Sequence, residues 1–124
     1  MGEFAEGLFD MFHSLVTDKP SRLNKRMKEI LLQMVKDTEE NTYNMEDTQH
    51  ELCMLSMTWL KSVLSGGNRK PHIKVGWWLC HWINDNQYHE LCDEENFIKA
   101  MEWLSYKIRK HYSSYEMIQY MLDK

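Results

Sequence analysis

The chain has 124 residues, 43% of them hydrophobic and 27% charged, which suits one soluble globular domain and excludes a disordered tail. Fifteen basic against nineteen acidic side chains give a formal charge of -4, so a surface that is basic all over is excluded, although a local basic strip is not. Ten Met and five Trp stand out, because Met fills irregular gaps and adaptable surfaces while Trp supplies large rigid contacts.

In chain order, EFAEGLFDMFHSLV sets Phe4, Leu8, Met11, Phe12 and Leu15 at three- and four-residue steps, a short amphipathic helix weakened by Gly7. TDKPS breaks it, and Pro20 is placed to enter the first turn of a second helix. There Leu23, Met27, Ile30, Leu31, Met34 and Val35 make one stripe, with Arg22, Lys25, Arg26, Lys28 and Glu29 mostly off it. After the polar stretch DTEENTYN, Asn44 is the expected cap of a third helix. Glu46 and Asp47 fall in its first turn, and Leu52, Leu55, Trp59 and Val63 form its stripe, widened by Cys53 and Leu60. SGGN stops it.

The fourth segment, KPHIKVGWWLCHWINDN, carries Val75, Trp78, Leu79, Trp82 and Ile83 on one side and Ile73, Trp77 and Cys80 near the other. Apolar groups on two flanks mean a central helix or one that offers Trp to a partner. A fifth helix capped by Asp93 presents Phe97, Ala100, Met101, Leu104 and Ile108, with Trp103 pointing away. Ser113 and Glu116 fit a capping box before Met117, Ile118, Tyr120 and Met121. The expected fold is all-α, a single compact bundle of five or six short helices in one domain spanning residues 1–124.

His50, Cys53, His89 and Cys92 form two H-x-x-C pairs within a repeated HELC word. Two imidazoles and two thiolates suit a tetrahedral zinc ion, so a zinc-stabilised helical adaptor is one reading, with no other cofactor expected. Against it, neither half has the tight knuckle of structural zinc motifs, and Cys53 lies beside the buried stripe. Three Cys cannot all pair internally. No apolar leader with a cleavage site and no bilayer-length run occurs, so the cytoplasm or nucleus is the expected compartment, without membrane association.

HExxH, GxSxG, Walker and dinucleotide motifs are missing, and Glu46, Asp47, Glu94 and Glu95 read as helix-start residues rather than as catalytic carboxylates, so no enzyme is expected. The least demanding enzyme reading would pair Cys80 or Cys92 with His81 or His89. Three basic groups make a nucleic-acid-binding regulatory protein a second reading, should folding bring them together. They are Lys19, Arg22, Lys25, Arg26 and Lys28; then Arg69, Lys70, His72 and Lys74; then Lys107, Arg109, Lys110 and His111.

The most economical reading is a stoichiometric protein-binding or regulatory protein, compatible with a viral or phage accessory inhibitor acting on a host protein. Its bulky apolar side chains exceed what so short a bundle hides with ease, and a homodimer or another protein would cover the surplus. The expected contact residues are Trp77, Trp78, Trp82, Trp103 and Tyr120 as apolar anchors, with Lys74 and Arg109 steering an acidic partner. On this reading Trp77→Ala spares folding and weakens binding.

Overall fold

Residues 20–86 and 94–123, which the computed structural model describes, form five helices in succession. They are α1 (Lys25–Glu40), α2 (Asp47–Leu64), α3 (Ile73–Asn86), α4 (Glu95–Arg109) and α5 (Ser114–Leu122), and no strand occurs among the described residues. The amphipathic segment around Phe4–Leu15 lies outside them, as do Lys19, His89, Cys92 and Asp93. No described helix is long and apolar enough to cross a membrane.

Helix starts follow local chemistry. The Asn24 side chain accepts from the Met27 N–H at 2.8 Å and sets the start of α1, so Pro20 stands five residues before the helix rather than inside its first turn. The expected Asn44 cap is also displaced. The Met45 N–H turns back to the Thr42 carbonyl, and α2 begins after Glu46 without a side-chain cap. His72 opens α3, its Nδ1 accepting from the Lys74 N–H at 3.1 Å. Helix α4 starts after Glu94, and the capping box of Ser113 and Glu116 opens α5 as its sequence foretells.

The end of α2 shows why two glycines stand together. The Gly67 N–H reaches the Ser62 carbonyl and the Gly66 N–H reaches that of Val63, the paired closure of a Schellman motif. It requires a left-handed residue after the cap, and Gly66 has φ +98°.

Helix α3 is the centre. It packs on α2, α4 and α5, while α1 packs on α2 and α4. This is why α3 is apolar on both flanks: Val75, Gly76, Trp77, Leu79, Cys80, Trp82 and Ile83 are all buried. Gly76 permits the closest approach, because a Cβ there would lie 2.8 Å from Cε of Met117 on α5. Helix α1 needs one face only, and Met27, Ile30, Leu31 and Val35 supply it. Helix α2 buries Trp59, Val63, Cys53 and Leu60 of its expected face, and the buried arc extends past it to Met57 and Leu64. Leu55, from the same expected stripe, is 51% exposed.

Polar contacts fix how the helices meet. Trp82 Nε1 donates to Thr38 Oγ1 at 3.0 Å and joins α3 to α1. Trp59 Nε1 donates to the Arg69 carbonyl at 2.7 Å and holds the link between α2 and α3. Arg26 clasps Glu94 with two hydrogen bonds, 2.8 and 3.1 Å long, tying α1 to the start of α4.

Candidate functional site

The Trp residues expected to project from the surface do not. Trp77, Trp82 and Trp103 are 8%, 7% and 6% exposed, and all three belong to the core; Trp78 is half-buried. The physical reason lies in α3, whose three helical neighbours take up both of its apolar flanks. Trp103 is covered in part by its own helix, with Lys107 Nζ 5.5 Å from the ring centre one turn on. Such residues cannot insert into a partner while the bundle stays folded, so their assignment as projecting anchors is corrected.

Several of them nevertheless converge. A cleft of about 440 Å³ opens between α2, α3 and α5, and Trp77, Trp78, Trp82, Lys74 and Tyr120 all line it. Its remaining wall is Met45, Gln49 and Leu52 on one side with His81 and Asp85 on the other. Trp77 stands edge-on between two rings, with centroids 4.9 Å from His81 and 6.5 Å from Tyr120. Trp77 and Trp82 thus make the floor, while Trp78 and the polar side chains make the rim. Lys74 and Asp85, eleven positions apart on α3, lie roughly 16 Å apart along the helix axis, so the rim carries opposite charges toward its two ends. A second hollow of about 360 Å³ shares Met45 and Trp82 and continues toward Met34, Asp37 and Asn41 near α1. Trp103 and Arg109 lie outside this cleft.

The cleft thus combines an aromatic floor with four polar side chains, Gln49, Lys74, His81 and Asp85, in a volume within the range of small-ligand pockets. Of the lining residues, Met45, Gln49, His81 and Asp85 were not expected, and Leu52 was expected only in the core stripe of α2. His81 drew notice in the sequence only as a neighbour of Cys80, and no sequence pattern pairs it with Gln49 on another helix.

Only half of the proposed metal set, His50 and Cys53, falls among the described residues. His50 is exposed and Cys53 is wholly buried, so the i,i+3 spacing places them near each other without a shared outward face. Among the described residues no group of three or more His, Cys, Asp or Glu could hold a metal ion; His89 and Cys92 lie outside them. Burial pushes the Cys80 thiol well above its ordinary range, and Cys53 is raised by burial and by Glu39, so neither is an activated thiolate. Cys80 is fully buried, which sets it apart from the half-buried His81 beside it.

The basic groups divide. Arg22 and Lys25 are exposed at the start of α1, and Arg26 is engaged by Glu94. Their end of α4 lies roughly 22 Å from its other end, where the second and third groups meet. Lys110 Nζ donates to Asn68 Oδ1 at 2.7 Å, Lys70 Nζ sits 4.9 Å from the centre of the Tyr112 ring, and Tyr112 donates to the Pro71 carbonyl at 2.8 Å. His111 lies among Lys110, Lys70 and Lys107; burial first, then these three charges, holds its pKa below the ordinary value.

No protein-family model, curated protein or solved structure matches this chain, so its function is argued from its own side chains.

Proposed function

We propose that the protein acts by stoichiometric binding of another protein, and that it is the socket rather than the plug: bulky apolar side chains of the partner enter the cleft floored by Trp77 and Trp82. The observation that supports this is the convergence of Trp77, Trp78, Trp82, Tyr120 and Lys74 on one concave surface. Burying apolar side chains there releases water from both walls at about 25 cal/mol per Å², and Lys74 and Asp85 orient a segment that carries an acid toward one end and a base toward the other. An inhibitor or adaptor that masks a partner's apolar anchors works in this way.

The experiment is selection of random displayed peptides on the folded protein, with Gln49→Trp as the counter-target. Gln49 is an exposed rim residue of α2, so the larger ring fills the cleft without entering the core. Recovered peptides carrying spaced bulky apolar residues, bound one to one by calorimetry and weakened at least about tenfold by Gln49→Trp, support the socket. Peptides indifferent to the filled cleft, or none at micromolar affinity, overturn it.

A further inference from the structure

We propose that the end of the bundle where the α2–α3 and α4–α5 links meet is a second, separate binding surface, and that its ligand is the phosphate backbone of a single-stranded nucleic acid. The sequence supplies the charge. Residues 62–84 and 103–115 contain no Asp or Glu, yet hold, besides Lys74 of the cleft, Arg69, Lys70, Lys107, Arg109 and Lys110, five of the fifteen basic side chains in an acidic chain. Folding brings the two stretches together through Tyr112 with Pro71, Lys110 with Asn68, and Lys70 with the Tyr112 ring.

Lysines near a helix C-terminus ordinarily just offset its partial negative charge. That account is insufficient here. The two links join two helix C-termini, those of α2 and α4, to two N-termini, those of α3 and α5, so the four helix ends cancel to first order and the side chains set the sign. Lys70, Lys107 and Lys110 make no ion pair with a carboxylate among the described residues, whereas Arg26, Lys61 and Lys99 do. Two acids bound the second stretch: Glu116 is held by the Ser113 N–H in the capping box, and Glu102, five positions before Lys107, forms no ion pair with it among the described residues.

The form of the surface selects the ligand. Lys70 and Lys110 are exposed, on links rather than in the cleft, which suits an extended polyanion that crosses several ammonium groups in turn. Tyr115, 72% exposed in the first turn of α5 and within the same acid-free stretch, offers a ring on which an unpaired base can stack. An acidic peptide would satisfy the charges but would use that ring only where an aromatic or other bulky side chain stands in register with it, whereas every base of a single strand has a face to stack.

The test is fluorescence anisotropy of a labelled, mixed-sequence 20-nucleotide single strand at 50 mM salt, with circular dichroism confirming that each variant is folded. Lys70→Gln, Lys107→Gln and Lys110→Gln combined should weaken binding at least about tenfold and flatten the log K against log salt slope by about 2, since each lost phosphate contact on a single strand removes about 0.7. Arg22→Gln, Lys25→Gln and Lys28→Gln combined, with the same change in net charge at the far end, should leave affinity within about twofold. Gln49→Trp should leave it unchanged, which separates this surface from the cleft. Absence of binding to the wild type, equal loss in both triple variants, or competition by polyglutamate as strong as by unlabelled oligonucleotide would overturn the proposal.

Discussion

The phenolic hydroxyl of Tyr112 donates to the carbonyl of Pro71 at 2.8 Å, joining two links that are forty-one residues apart in the chain. Besides this contact the two links share the packing of the Tyr112 ring against the core and the contacts of exposed lysines, which are individually weak. Tyr112→Phe keeps the ring under Lys70 and removes only the hydrogen bond. The expected cost is about 1 kcal/mol in urea unfolding, because the Pro71 carbonyl is left without its donor. A variant as stable as the wild type would show that the junction is held by packing alone.

The same junction predicts a histidine titration. His111 is depressed by burial and, secondly, by Lys110, Lys70 and Lys107. Its proton NMR midpoint should lie below 6.5, and in the triple Lys→Gln variant it should move only part of the way back, because burial remains the larger cause. The sign for stability follows. A histidine with a lowered folded pKa favours folding above its unfolded value, and this contribution is lost as pH falls through the folded value. The melting temperature of the wild type should therefore drop more between pH 7 and 5 than that of His111→Asn.

Trp77 and Trp78 are neighbours with different expected costs. Trp77 lies in the core, 8% exposed, so Trp77→Ala should destabilise the fold by about 3–5 kcal/mol, contrary to what the sequence pattern suggests. Trp78 is only half-buried at the rim. Its truncation should cost clearly less in stability while weakening any peptide held in the cleft. Denaturant midpoints of the two variants, measured side by side, check the order; a reversed order would exchange floor and rim.

Gly66→Ala tests the end of α2. A Cβ on Gly66 would touch nothing within 4 Å, so any cost comes from the backbone, which has φ +98°. A loss of about 1–2 kcal/mol in chemical unfolding is expected, with Gly66→Asn costing less because Asn tolerates left-handed conformations better.

How much of this was legible beforehand depends on how wide a face of each helix is buried. The buried face of α1, Met27, Ile30, Leu31 and Val35, follows from three- and four-residue spacing because α1 presents one side to the core. The Ser113 and Glu116 capping box is equally local. Where the buried face is wider, periodicity loses its power: in α2 it selects Leu55, which is half in solvent, and passes over Met57, which is fully buried. In α3 it recognised two apolar flanks without saying what would cover Trp77. Convergence is harder still. That Lys70 and Lys110 share one end depends on Tyr112 reaching Pro71, a contact that no local pattern encodes; the acid-free stretches 62–84 and 103–115 were the clue available in the sequence.

Because Trp77 and Trp82 serve the bundle's interior as well as the bottom of its cleft, evolution cannot retune them for a new partner without loosening the whole fold. Freedom to diversify resides in Gln49, Lys74 and Asp85, which face water and lie on helices already anchored elsewhere. On the proposed reading, substitutions at those three would change what the cleft accepts and leave the indoles and the fold in place.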